Sequence, residues 1–266
     1  MSLIKSIEVI NVAVPLDKVT SFSTRTVSER HYCLVKVRNE DGLEGIGFCY
    51  VGSGAGAIAR VAVEQLLAPL LIGQDSHRTE GLWQEMYAES ILQGRSGSVM
   101  RGISILDNAL WDLNAQVAKL PLHKYLGAVR LDKVPAYASG GYYVAGKTPA
   151  LLAKEMEQYL ALGFKAVKMK TGRLSPAEEE ERLAAVRHAV GDDILVTMDA
   201  NNAWQDLPTA MEYIKRFEAY NPYWIEEPFS PDAIDLHARL AARTSITVAT
   251  GEIEVGRWRF RELILS

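Results

Sequence analysis

The chain has 266 residues, 48% apolar, 23% charged and 8% aromatic, and its 29 basic and 33 acidic residues give a formal charge of −4. These values suit an ordinary soluble globular protein and exclude disordered, collagenous and low-complexity classes; with no run of five basic residues, no nucleic acid partner is expected. No stretch approaches the roughly eighteen apolar residues of a membrane span, and Cys33 and Cys49 lack a CxxC partner, so no membrane partner is expected and the thiols read as free, in a cytoplasmic protein.

From Ile4 to Leu16 apolar residues cluster as in a strand, and Tyr32 to Val37 and Gly45 to Val51 read as two more strands joined by a turn at Asn39-Glu40-Asp41-Gly42. Helical patterns follow at about Ala55 to Leu71, Thr79 to Gln93 and Ser98 to Leu120. In the last of these, Val99, Ile103, Leu106, Leu110, Leu113 and Val117 recur at the three- and four-residue steps of one buried face. Pro121 stops this helix. Strands first and helices second predict an α+β domain over residues 1–127. The glycine-rich stretch Gly52 to Gly56 lacks the spacing of a phosphate loop and reads as a flexible loop.

After Asp132-Lys133 short apolar strands alternate with amphipathic helices, which predicts a parallel sheet over residues 128–266. The strands are Val134 to Ser139, Ala166 to Lys170, Ile194 to Asp199, Trp224 to Glu227 and Thr247 to Glu252. The helices fall at about Pro149 to Leu162, Ser175 to Val190, Leu207 to Ala219, Ala233 to Ala242 and Arg257 to Leu265. The acidic run Glu178 to Glu181 reads as a solvated helix face near a helix N-terminus. Lys170, Asp199, Glu226 and Glu252 each close one strand, spaced 29, 27 and 26 residues apart. In a closed (β/α) barrel the C-terminal strand ends converge on one mouth. Five strands are present where such a barrel needs eight.

Lys168 and Lys170 are two apart on one strand and face the same side, while Val167 and Met169 face the helices. Two neighbouring ammonium groups in a partly dry cavity depress each other's pKa and free one as a base; the competing reading is a pair of lysines reaching solvent or a phosphate. Asp199, Glu226 and Glu252 offer an all-oxygen donor set from three rigid elements, which suits Mg²⁺, or else form an internal ion-pair network. Asn201 shares the parity of Asp199 and either hydrogen-bonds a substrate or a metal-bound water, or caps the next helix. Glu227, by alternation, points away from the ligand set and reads as a supporting acid or ion-pair partner.

Together, Ala109-Leu110-Trp111-Asp112-Leu113, Pro121-Leu122, Leu126-Gly127, Lys168-Met169-Lys170, Asp199-Ala200-Asn201, Trp224-Ile225-Glu226-Glu227-Pro228 and Thr250-Gly251-Glu252 resemble the enolase superfamily, in particular its mandelate racemase-like subgroup. The resemblance implies an α+β N-terminal capping domain and an α/β TIM-type (β/α)₇β barrel. It further implies that Asp199, Glu226 and Glu252 hold Mg²⁺ and that Lys170 removes the proton α to a substrate carboxylate, giving an enediolate stabilised by Mg²⁺. Lys168 would lower the pKa of Lys170 and contact that carboxylate. Segments near Val19 to Glu29 and Cys49 to Ala55 would close over the substrate. An acid-sugar dehydratase acting on a small polyhydroxy carboxylate is expected, as a homo-oligomer, with a racemase or epimerase of an α-substituted carboxylate as the near alternative. The His-Asp dyad of such enzymes has no counterpart among these five strands, which leaves the reaction type open. Readings from other classes are a Schiff-base barrel using one lysine and a truncated barrel without activity.

Overall fold

The computed structural model describes residues 1–52, 54–128 and 133–266. The chain divides into two compact units: Met1–Leu16 with Glu29–Lys133, and Asp17–Ser28 with Val134–Ser266. Ser53 of the glycine-rich stretch and Asp132, where the sequence pattern changes, lie outside the described residues. Among the described residues no helix is long and apolar enough to cross a membrane.

Strands β1 (Ile4–Ser21), β2 (Thr26–Asn39) and β3 (Glu44–Tyr50) form one sheet in that order. β2 and β3 are antiparallel, with Cys33 opposite Cys49 and Val37 opposite Gly45. The turn between them is fixed by Asn39, whose Oδ1 accepts the Leu43 amide at 2.8 Å, and by Gly42 at φ +84°, a conformation that disfavours a side chain. Helix α1 (Gly56–Val61), a π-helical stretch (Ala62–Leu67) and α2 (Ala68–Leu71) run on from one another. Pro69 offers no amide to the carbonyl four residues back, and the ladder widens just ahead of it. Helices α3 (Thr79–Ser90), α4 (Gly97–Val117) and α5 (Leu122–Tyr125) complete this unit. Ile103, Leu106, Leu110 and Leu113 of α4 are fully buried. The helix lies directly on β3, since a Cβ on Gly45 would overlap the Ala109 carbonyl and one on Gly47 that of Ile105.

In the second unit, β4 (Ala138–Ser139), β5 (Ala166–Lys170), β6 (Leu195–Asp199), β7 (Trp224–Glu226) and β8 (Thr247–Ala249) form a parallel sheet in chain order. Helices α6 (Pro149–Ala161), α7 (Pro176–Val190), α8 (Leu207–Phe217), α9 (Ile234–Ala241) and α10 (Gly256–Leu265) follow the successive strands. This is the strand–helix repeat of a (β/α) barrel. Thr148, Ser175 and Asp206 cap α6, α7 and α8 by accepting the Leu151, Glu178 and Thr209 amides. Each cap precedes a proline in the first turn, where a missing amide costs nothing. Val167, Met169, Val196, Met198 and Ile225 turn their side chains into one core with Leu183, Val186, Ile214 and Phe217 of the helices.

Four expectations need correction. The first strand of this sheet is only Ala138–Ser139, because Pro135 lacks an amide to donate to the ladder. β7 stops at Glu226 because Glu227 adopts φ +44°. β8 stops at Ala249, and Gly251 at φ +121° swings Glu252 onto a solvent-facing turn. The acidic run is not a uniformly solvated face: Glu178 completes a capping box with Ser175, and Glu179 is completely buried against Arg182, 2.6 Å away.

Candidate active site

The parallel register sets the site. Lys170 stands opposite Asp199, Asp199 opposite Glu226, and Glu226 opposite Ala249. Four neighbouring strands thus end at one level, and the alternation that sends Val167 and Met169 to the helices leaves Lys168 and Lys170 on the other face, both buried. Lys170 Nζ donates to Asp199 Oδ2 at 2.5 Å. Lys168 Nζ donates to both Glu226 oxygens, at 2.7 and 2.8 Å, and lies 3.4 Å from Asp199 Oδ2. Aromatic rings flank the ammonium groups: Tyr137 lies 5.5 Å from Lys168 Nζ, with Tyr142 and Phe22 at 5.3 and 5.8 Å from Lys170 Nζ. Phe22 falls within the segment that the resemblance singled out, Val19 to Glu29, whereas no sequence signal pointed to Tyr137 or Tyr142.

The expected mutual depression of the two lysine pKa values does not describe Lys168. Burial disfavours its charged form, but the hydrogen bonds to Glu226 and the charges of Asp199 and Glu226 outweigh burial and hold its pKa above the ordinary lysine value. Both Glu226 oxygens lie within hydrogen-bonding reach of the Lys168 ammonium, so attraction dominates there. Glu252 shows the opposite imbalance. Partial desolvation, then the nearby charges of Asp199, Glu226 and Glu227, raise its carboxyl pKa.

Asp199 is wholly buried, and its Oδ1 accepts the Asn201 amide at 3.0 Å. Asn201 does not cap the following helix; that position belongs to Asp206. Its own Oδ1 is buried without a hydrogen-bond partner. The lysine end of β5 is braced from behind, where Arg182 donates to the Lys170 and Gly141 carbonyls, each at 2.9 Å. A cavity of about 560 Å³ bordered by Ser21, Tyr142, Tyr143, Lys147 and Arg173 lies beside this constellation, and neither the two lysines nor the three acids line it.

Among the described residues no three His, Cys, Asp or Glu side chains converge closely enough to grip a metal ion, because Asp199 and Glu226 are turned toward the lysines and Glu252 toward solvent. The donor chemistry nevertheless fits a hard divalent cation. Asp199 and Glu226 are adjacent at one sheet level, Glu252 follows the next strand, and all three offer oxygen. The negative charge crowding Glu252 is the kind that such a cation offsets.

Residues 5–127 match the family model for the mandelate racemase/muconate lactonizing enzyme N-terminal domain, and residues 151–266 match that for the enolase C-terminal domain-like family. The chain is 38% identical to arabinonate dehydratase of Saccharolobus solfataricus over 86% of its own length and 61% of that protein's. It is 34% identical to L-talarate/galactarate dehydratase of Salmonella typhimurium, over 98% of this chain and 65% of the other. It therefore spans a little under two thirds of these relatives. The crystal structure of a racemase from Streptomyces coelicolor with bound magnesium superimposes with a TM-score of 0.92 at 31% identity, covering 99% of this chain and 73% of that one.

Proposed function

The chain belongs to the mandelate racemase/muconate lactonizing enzyme family of the enolase superfamily, and on that premise we propose that it carries the proton-abstraction site of a Mg²⁺-dependent acid-sugar dehydratase. The observation that carries this reading is the alignment of Lys170, Asp199 and Glu226 at one level of three neighbouring strands, with Lys168 bridging the two acids. Asp199, Glu226 and Glu252 would hold the metal, which when bound supplies positive charge against the negative charge that develops on the substrate carboxylate. The substrate is a small polyhydroxy carboxylate, as the dehydratase relatives' names indicate.

Lys170 Nζ is the base that takes the proton from the carbon α to the carboxylate, in place of the hydrogen bond it otherwise donates to Asp199. The electron pair left behind expels the β-hydroxyl, which takes a proton from solvent and departs as water, and the enol takes a proton at the β-carbon to become a 2-keto acid. Lys168, held by Glu226, binds the substrate carboxylate. Asn201 Oδ1 accepts a hydrogen bond from a substrate hydroxyl, which gives a buried acceptor its partner. Phe22 and Tyr142 keep water from the Lys170 amine.

A racemase or epimerase is the second reading, favoured by the likeness to the magnesium-bound racemase structure. Incubation with Mg²⁺ and a panel of aldonates and aldarates in D₂O separates the two. The dehydratase reading expects α-proton exchange with accumulation of a 2-keto acid, whereas the second expects exchange with inversion and no keto product. Lys170→Ala should lower exchange by at least ~10²-fold. Exchange unchanged in that variant removes Lys170 as the base, and no exchange with any acid in the wild type removes both readings.

A further inference from the structure

Glu227 is a buried carboxylate that the proposed chemistry does not use. It has no solvent exposure and sits at φ +44°, a left-handed conformation uncommon for a side chain of its size. Its Oε1 accepts two successive amides, Gly251 at 2.7 Å and Glu252 at 3.1 Å. Its Oε2 accepts Asn202 Nδ2 at 3.0 Å, and that nitrogen also donates to the Phe229 carbonyl at 2.7 Å. The backbone repeats the pattern, since the Glu227 amide donates to Ala249 and its carbonyl accepts the Asn202 amide. One side chain therefore ties together the segment that follows Asp199 on β6, the residue that follows Glu226 on β7, and the turn after β8 that carries Glu252. A strained backbone at a buried, fully bonded position persists only where the surroundings determine it.

We propose that Glu227 is a positioning residue that holds the Gly251-Glu252 turn, and through it the Glu252 carboxylate, in register with Asp199 and Glu226. The inference rests on the metal-binding reading of those three acids. Without the Glu227 carboxylate, Glu252 stands on a solvent-facing turn with no other side chain holding its amide among the bonds described. A glutamine cannot substitute. Its Nε2 donors would meet the Asn202 Nδ2 donors, and Asn202 cannot flip without losing Phe229. Aspartate is one methylene too short to span both sides.

The test compares wild type with Glu227→Gln by amide hydrogen exchange of Gly251 and Glu252 and by calorimetric titration with Mg²⁺. Faster exchange at those two amides, by about tenfold or more, with Mg²⁺ affinity lowered 10- to 100-fold, is the expected result. In a Glu252→Gln background the same substitution should have almost no further effect on Mg²⁺ affinity, because both act through one ligand. Unchanged exchange, or an affinity loss that simply adds to that of Glu252→Gln, overturns the proposal. Wild type that binds no Mg²⁺ while Glu227→Gln still frees the two amides instead overturns the metal reading and leaves the hold on the turn standing. Should Glu227→Gln not fold, Asn202→Ala removes one anchor of the same carboxylate and should give a smaller loss of the same kind. No change in exchange or affinity there also counts against the proposal.

Discussion

Lys170 and Asp199 face each other across adjacent parallel strands, and the ammonium donates to the carboxylate at 2.5 Å with both side chains buried. Neither charge could be accommodated alone at this depth, so the proposed base and one proposed metal ligand stabilise each other. Removing Lys170 leaves Asp199 with the Asn201 amide and, as its remaining cation among the described residues, Lys168 at 3.4 Å. In metal-free urea denaturation, Lys170→Met should therefore cost about 3 kcal/mol. Adding Asp199→Asn to Lys170→Met should recover most of the loss; a loss that persists in the double variant would assign it to packing instead.

Arg182 and Glu179 form a second buried pair one layer behind. Glu179 also accepts the Arg173 and Leu174 amides at 3.1 and 3.0 Å and the Tyr143 hydroxyl, while Arg182 holds the Lys170 carbonyl. Burial and the Glu179 charge push the Tyr143 hydroxyl far above its ordinary pKa, so the phenol remains a donor. Arg182→Met leaves Glu179 charged and unpaired, and the urea midpoint should report a loss of about 3–5 kcal/mol. A loss below about 1 kcal/mol would mean that the amides and Tyr143 alone satisfy Glu179.

This pair marks the limit of what the sequence makes legible. Periodicity located the helices of the second unit closely and assigned Lys168, Lys170, Asp199 and Glu226 to strand ends, because side-chain parity and burial follow from regular backbone. It misjudged Glu179, since four consecutive acids at a helix start look alike although only one faces inward. It put Glu252 on a strand because alternation presumes extended backbone, which Gly251 breaks. The depression expected of two neighbouring lysines fails at Lys168 because cross-strand register, which sets Glu226 against its ammonium, has no local signature. The link between Glu227 and the Gly251-Glu252 amides spans 24 and 25 residues and lay beyond any local pattern.

Gly45 and Gly42 test two different roles of glycine in the first unit. Gly45→Ala drives a methyl into the backbone of α4 at Ala109 and Leu113, where neither partner can rotate away. The unit should lose about 1–3 kcal/mol or more, with weakened α4–β3 packing visible in amide exchange. Gly42→Ala meets open space and only the cost of φ +84°, about 1–2 kcal/mol, confined to the turn. If both variants lose equal protection along α4, the close approach of helix to strand is not what Gly45 provides.

Asp75 supplies the pH dependence that can be isolated most cleanly. The His77 side chain at 3.0 Å, then the Ser2 amide at 3.1 Å and the His77 amide at 3.2 Å, hold its carboxyl down to about 2 from an ordinary value of 3.8. A carboxyl that is more acidic in the folded state stabilises the fold above the unfolded pKa. The contribution is thus complete above about pH 4 and is lost as the pH falls through about 2. The site is partly open to solvent, so screening keeps the effect below about 1 kcal/mol. Glu178 and Asp206, lowered by their capping hydrogen bonds, weaken over the same range, which makes the difference between wild type and Asp75→Asn the informative quantity. Urea midpoints measured from pH 5 to pH 2 should show the wild-type advantage shrinking toward the acid end. Parallel curves across that range would mean that the Asp75 bonds add nothing to folding.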